Sequence, residues 1–346
     1  MLAVDLGSRT TKAVYLQRRG ESMALCNYAL ADAPIFEKTL SPDLLAEHLK
    51  SLLQEMGAPR VKSTALAIGA NEAFVRHVEM PRVPADGLNL VLRHNAKSYL
   101  QQDLSGHVID CHVIYEAMPQ AAGAAGAKPT QAGSLKQKIL VTGAKRQVVE
   151  DYAAGVRQAG LAADYIVPSL ISPVNAFERA LPEVFEKEIV ALVDIGFKGS
   201  SISILQRGEL MLLRAVAIGG DRLTTAVAEA LSISYAEAEG IKLGMPGEVQ
   251  GVLESVVASL ARELRASIDF YEHQQDKAVT QVYVSGGSAR SELVMQILQN
   301  ELMAQCRTWN PVASLQVALA PQQAAELEQI APHLAVAAGA ALIASS

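Results

Sequence analysis

The chain has 346 residues and a formal net charge of −6; half of it is hydrophobic and 19% is charged. That is enough apolar side chain for two or more cored units and excludes a largely disordered protein. No run of Lys or Arg could neutralise several phosphates, so nucleic acid is not an expected partner, and no apolar stretch reaches the roughly 18–20 residues needed to cross a bilayer. The opening MLAVDLG carries no basic leader or cleavage site, so the expected compartment is the cytoplasm. Cys26, Cys111 and Cys306 are far apart, with no Cys-x-x-Cys pair, and read as core thiols.

In chain order, Leu2 to Val4 predicts a strand, Asp5 to Thr11 a tight turn, and Ala13 to Leu16 a second strand. Leu44, Leu45, Leu49, Leu52, Leu53 and Met56 recur at helical spacing, with Ser41 as the cap and Gly57 as the stop. A strand over Ser63 to Ile68 follows. From Pro84 to about Tyr165 the composition changes: a helix over Leu88 to Leu100, strands over Val108 to Ala117 and Lys138 to Thr142, and a helix over Arg146 to Ala159. Between those strands lies AMPQAAGAAGAKPTQAGS, whose Ala, Gly and Pro content without periodicity predicts a long mobile loop.

The second half repeats the plan of the first. Val4-Asp5-Leu6-Gly7 and its hydroxyl-rich strand recur as Val193-Asp194-Ile195-Gly196, followed by Ser200, Ser201 and Ser203. Helices are expected at Asp221 to Leu231, Tyr235 to Lys242 and Val249 to Gln275, then a strand at Gln281 to Ser285 ending on Gly286-Gly287. A helix over Ser291 to Cys306 and an Ala-rich helix over Leu334 to Ile343 close the chain.

The chemistry sits in the turns. Asp5-Leu6-Gly7-Ser8-Arg9-Thr10-Thr11-Lys12 is a Gly turn rich in hydroxyls that ends on a Lys, able to offer N–H groups and a positive charge to phosphate oxygens. Asp5 would be repelled by phosphate, so its useful role is to hold Mg²⁺ through water. A lone Asp-x-Gly turn is a common hairpin, but two in one chain point to two loops closing on one triphosphate, with Asp5 and Asp194 near the metal. Val282-Tyr283-Val284-Ser285-Gly286-Gly287-Ser288 is a strand ending on a Gly pair, where a base or sugar can lie against backbone. Gly219-Gly220-Asp221 with Thr224 is another Gly turn; Glu239 and Lys242 beyond it have the spacing of an ordinary solvated pair.

The order Asp5-x-Gly-Ser…Lys12, Asp194-x-Gly, Gly219-Gly220-Asp221, Glu237-Ala238-Glu239…Lys242, Ser285-Gly286-Gly287 and Ala338-Gly339 resembles the actin, Hsp70 and sugar-kinase superfamily over nearly the whole chain. Within it, the sequence is similar to the PilM family of type IV pilus assembly proteins, in the FtsA/PilM branch. The resemblance implies an α/β fold of the actin-like ATPase type: ribonuclease H-like lobes in duplicate with an inserted small α+β subdomain. Its expected parts are 1–82, the insert at 83–165, a return helix at 166–188, the second lobe at 189–330 and a closing helix at 331–346. ATP or ADP with Mg²⁺ is the implied ligand. Gly7, Ser8, Arg9, Thr10, Thr11, Lys12 and Gly196 would meet phosphates, and Asp5 and Asp194 the metal. Gly219, Gly220, Glu239, Lys242, Gly286, Gly287 and Ser288 would line the adenosine side.

The implied partner is the cytoplasmic N-terminal segment of a PilN-like inner-membrane protein, with other pilus components and a second copy of the chain as further contacts. The protein would then be peripheral at the inner membrane. Related adaptors of type II secretion share the architecture. A filament-forming relative of the FtsA kind is the alternative; that family ends in a basic amphipathic helix, whereas this sequence closes on Ala344-Ser345-Ser346. A sugar kinase would need an Asp base, and Asp151, Asp164 and Asp269 read as solvated carboxylates. Superfamily members that hydrolyse ATP often place an acid or Gln where this sequence has Ser169. A Ser hydroxyl is no general base without an activating partner, so slow or absent hydrolysis is expected and no catalytic residue is assigned.

Overall fold

The structure is a computed structural model; it describes all residues except 38, 58, 62, 117–135 and 344–346, and for 85, 115 and 116 the backbone alone. The mobile loop expected between Ala117 and Lys136 lies outside the described residues but for Lys136, which belongs to a strand.

The chain forms two compact units, one made of Met1–Ala70 with Asp151–Ser346 and the other of Asn71–Glu150. The first unit begins with β1 (Leu2–Asp5), β2 (Thr10–Arg19), β3 (Ser22–Asp32), α1 (Pro42–Glu55) and β4 (Thr64–Ile68). Ser41 caps α1 by accepting from the Leu44 N–H, and Pro42 opens the helix. Its Leu45, Leu49 and Leu52 are buried, as the helical spacing requires.

The second unit holds β5 (Ala73–Pro81), α2 (Ala85–Leu100), β6 (His107–Glu116) and β7 (Lys136–Lys145). β7 is the central strand, antiparallel to both neighbours. Val78, Met80, Leu88, Leu92, Ile109, Ile139 and Val141 form its core. This small α+β unit starts earlier than the expected 83 and ends before the expected 165. The reason is β5, which buries alternate residues such as Val78 and Met80 while Arg76 and Glu79 face out, leaving no apolar run to read in the sequence.

α3 (Arg146–Gln158) spans the boundary, and β8 (Ala163–Pro168) pairs in parallel with β4. Residues 151–165 therefore belong to the first unit. It continues through α4 (Ser172–Ala180), α5 (Pro182–Lys187), β9 (Ile189–Ile195), β10 (Ser200–Gln206), β11 (Glu209–Val216), α6 (Gly220–Leu231), α7 (Tyr235–Gly244) and α8 (Gln250–Gln275). Then come β12 (Gln281–Ser285), α9 (Glu292–Leu302), β13 (Cys306–Thr308), β14 (Gln316–Val317), α10 (Pro321–Ile330) and α11 (Ala335–Ile343).

The two sheets of this unit run β14-β3-β2-β1-β4-β8 and β11-β10-β9-β12-β13. In each, a three-stranded antiparallel meander continues into parallel strands on the far side of its first strand. The short sequence repeat is thus the visible part of a repeated sheet. Behind the second sheet, Leu253, Val257, Leu260, Leu264 and Ile268 line one face of α8 and pack with Ile202, Ile204 and Val227. The three cysteines are only partly buried, not the core thiols expected, and burial pushes the Cys306 thiol up to about 11. No helix among the described residues is long and apolar enough to cross a membrane.

Candidate functional site

β1 and β2 pair with Asp5 opposite Lys12, while β9 and β10 pair with Asp194 opposite Ser201. The turns between therefore align residue for residue: Gly7 with Gly196, Ser8 with Phe197, Arg9 with Lys198, Thr10 with Gly199 and Thr11 with Ser200. A Cβ on Gly7 would strike the Thr10 carbonyl oxygen, and one on Gly196 would come within 2.7 Å of the Gly199 oxygen. Both turns need glycine for the same close backbone approach.

The charges differ between the two turns. Lys12 Nζ donates to Asp5 Oδ2 at 2.9 Å, with both side chains mostly buried. Burial alone pulls the Lys12 ammonium down, but the Asp5 carboxylate, its hydrogen bond and the charge of Asp194 outweigh it and raise the pKa. Asp194 accepts from the Ser285 hydroxyl at 2.8 Å. Burial pushes its carboxyl up and the charge of Asp5 adds to this; Ser285 and Lys12 oppose the rise, leaving it at about 6. Lys12 senses Asp194 and Asp194 senses Asp5, so the ends of the two hairpins meet in one place. Lys12 pairs with Asp5, and Asp194 feels that ammonium only at longer range.

Among the remaining residues of the first turn, Ser8 and Arg9 are exposed and Thr10 is half-buried. Thr11 is not with them. It is fully buried, and its hydroxyl lies 2.8 Å from His48 Nε2 on α1, because strand alternation turns it away from the side that carries Lys12. The Thr11 side chain therefore does not join the phosphate-facing set expected of this turn.

The Gly219-Gly220-Asp221 turn packs on the second hairpin. The Gly220 N–H donates to the Gly196 carbonyl and the Asp221 N–H to the Phe197 carbonyl, both at 2.9 Å. These α6 N-terminal groups are thus already satisfied within the protein. Lys198 is exposed and pairs with Asp221 at 2.8 Å, and Tyr235 donates to the other oxygen of the same carboxylate at 2.9 Å.

Glu239 and Lys242 are not the ordinary solvated pair their spacing predicts. They sit 2.6 Å apart with each side chain only 13% exposed. Glu239 also accepts from the Thr224 hydroxyl and from Arg9 at 2.7 Å, and Lys242 donates to Thr224 at 2.7 Å. Burial would raise the Glu239 pKa, but the hydrogen bonds of Lys242 and Thr224 and the nearby cations hold it below the usual value. The Arg9 guanidinium lies over the Phe197 ring at 5.3 Å, so the tip of the first hairpin touches both the second hairpin and α7.

At the end of β12, Gly286 adopts φ +89°, and a Cβ there would strike the Ile195 backbone. Its N–H donates to the Pro332 carbonyl at 2.8 Å. Gly287 is exposed and Ser288 half-buried beside it. The Gly pair, the second hairpin and the turn before α11 therefore meet at one edge of the site.

Residues 3–345 match the sequence description of the type IV pilus assembly protein PilM. The chain belongs to the PilM family. Its fold is similar to that of a solved PilM-PilN type IV pilus biogenesis complex, at TM-score 0.84 and 22% identity over 100% of this chain and 98% of that one. The ethanolamine utilization protein EutJ from Carboxydothermus hydrogenoformans aligns at TM-score 0.56 and 17% identity, covering 99% of this chain and 88% of that one. The cell division protein FtsA of Bacillus subtilis is 31% identical over 103 residues, a match that takes in 30% of this chain and 22% of that protein. The fold is that of the actin-like ATPases.

For a PilM-family chain, the donor set at the hairpins fits a magnesium–nucleotide ligand. Asp5 and Asp194 are hard oxygen donors, one at the foot of each hairpin. That suits Mg²⁺, which keeps several waters and is held by one or two carboxylates together with phosphates. Phe197 stands where the first turn has the hydroxyl of Ser8, and the Ser285–Asp194 bond joins two motifs that the sequence presents separately. At the expected position of a catalytic acid, Ser169 uses its N–H on the Ile68 carbonyl at 2.8 Å. Asp164 accepts from the Thr64 N–H at 3.0 Å, a structural bond between strands and not the solvated carboxylate expected.

Proposed function

We propose that this chain is a nucleotide-binding platform of a type IV pilus assembly machine. ATP or ADP with Mg²⁺ binds between the two hairpins, and a cytoplasmic segment of a PilN-like membrane protein docks on the nucleotide-bound form. The observation that carries the reading is the meeting of Asp5, Lys12 and Asp194, brought from opposite halves of the chain to one place. A ligand that is both cation and polyanion answers that arrangement: the metal offsets the carboxylates and the phosphates accept from Lys12.

In this reading Asp5 and Asp194 hold Mg²⁺ through water, while Gly7, Ser8, Thr10, Lys12 and Gly196 face the phosphates. Glu239, Lys242, Gly286 and Gly287 face the adenosine, with Gly219, Gly220 and Ser288 shaping its walls. Bound Mg²⁺ supplies charge neutralisation at the phosphates. Hydrolysis is slow or absent because Ser169 offers no base, so the nucleotide serves chiefly to favour one conformation of the protein. Membership of the PilM family and the likeness to the PilM-PilN complex support the pilus role and the choice of partner. Binding to such a partner would hold the protein at the inner membrane.

Calorimetric titration of nucleotide-stripped protein tests this directly. Mg·ATP should bind the wild type, fail to bind Lys12→Ala, and be followed by binding of a PilN N-terminal peptide. Absence of nucleotide binding in the wild type would refute the site, and absence of peptide binding to the loaded protein would refute the platform.

A further inference from the structure

The turn Ala331–Leu334, just ahead of α11, carries a histidine with no role in the reading above. The Gly286 N–H donates to the carbonyl of Pro332, which fixes the turn against the end of β12. The next residue, His333, lays its ring beside Gly287: a Cβ built on that glycine would stand 3.4 Å from His333 Cε1 and 3.6 Å from Nδ1. Its Nε2 is buried and has no hydrogen-bond partner. A buried polar atom left without a partner destabilises the folded protein, so such an atom beside a candidate ligand site asks for an explanation.

The charges around the ring narrow the answer. Burial and the positive charges of Arg290 and Lys12 press the His333 pKa down to about 4, so the imidazole is neutral at pH 7 and carries one N–H. The charges of these two cations favour an anion at this point, and a neutral histidine can donate to it. In the reading proposed above Lys12 faces the phosphates and Gly287 the adenosine, which would put His333, beside Gly287 and within the field of Lys12, at the junction of the two.

We infer that His333 is a nucleotide-contacting residue whose Nε2–H donates to a phosphate oxygen at the sugar end of the polyphosphate. The inference rests on the nucleotide site proposed above. It assigns the orphan nitrogen a partner that arrives with the ligand, and it makes the turn before α11 a third wall of the site beside the two hairpins.

Competition binding of a fluorescent ADP analogue against ADP and against adenosine tests this on wild type, His333→Phe and His333→Gln, with thermal melting of each protein free of ligand. His333→Phe should weaken ADP about tenfold, a loss of about 1.4 kcal/mol, while melting as high as the wild type or higher because the unpaired nitrogen is gone. His333→Gln keeps a donor and should lose less than threefold. Adenosine, which has no phosphate, should bind all three alike. Equal ADP affinity in wild type and His333→Phe would overturn the inference and leave the site standing. Equal losses in both variants together with lowered melting, or equal losses for adenosine, would show a packing role and overturn it as well. Failure of the wild type to bind ADP would overturn both the inference and the site it rests on.

Discussion

The hairpins β1–β2 and β9–β10 close the same turn around the same Asp-x-Gly, yet their charges are arranged differently. In the first, the residue opposite the aspartate is Lys12, which neutralises Asp5 at 2.9 Å. In the second, that position is Ser201, and Asp194 is left with a hydroxyl from Ser285 on the neighbouring strand. The tips differ as well, with Ser8 in one and Phe197 in the other. Equivalent backbones thus carry one compensated carboxylate and one that burial holds at a pKa of about 6. A duplicated sheet supplies two matching frames, and the division of labour lies in the few residues that break the match.

Exchanging the residue opposite each aspartate should give the largest contrast. Lys12→Ala leaves Asp5 and Asp194 near each other with no cation and is expected to cost about 3–5 kcal/mol in urea unfolding; Ser201→Ala at the equivalent place should cost about 1 kcal/mol or less. Similar losses at the two positions would break the comparison.

Removing the aspartates should have effects of opposite sign. The folded-state pKa of Asp194 is raised from 3.8 to about 6, so its ionised form disfavours folding. That penalty is absent below pH 3.8 and complete above about pH 6. Asp194→Asn should therefore stabilise metal-free protein above pH 6, by on the order of 3 kcal/mol, with the gain fading as pH falls to 4. Asp5→Asn removes the partner of Lys12 and should destabilise at pH 7. Melting temperature followed against pH reads both.

The two glycines sharpen the comparison further. Gly7→Ala and Gly196→Ala should each cost about 1–3 kcal/mol by crowding the turn. Gly7→Ala should cost more, because its Cβ would also stand 2.6 Å from Lys12 Nζ whereas the Gly196 position meets only the Gly199 backbone. The smallest effect belongs to the contact between tips. Phe197→Leu should remove the stacking of Arg9 and lower stability by about 0.5–1 kcal/mol, and a double-mutant cycle with Arg9→Ala should recover that amount as coupling.

What the sequence disclosed follows from how local each feature is. Val4-Asp5-Leu6-Gly7 and Val193-Asp194-Ile195-Gly196 are contiguous motifs, so the repeat and both metal candidates are legible. Thr11 is equally local, but its burial against His48 depends on where α1 packs. The pairs Arg9–Glu239 and Ser285–Asp194 join residues far apart in the chain, and only the arrangement of the sheets brings them together. β5 escapes a strand reading because the adjacent polar residues Arg76 and His77 break the alternation of its buried positions, and the boundary of the small unit lies earlier with it. His333 has no neighbouring motif; its significance comes from the Gly286–Pro332 contact that sets it beside Gly287.

Thermal melting of wild type and Asp194→Asn at pH 7.5, each with and without Mg·ATP, tests the convergence of the two hairpins on one ligand most directly. The account predicts a crossing: free of ligand the variant melts higher than the wild type, and with Mg·ATP only the wild type gains stability. A variant that melts no higher alone, or that gains as much as the wild type from Mg·ATP, would contradict it.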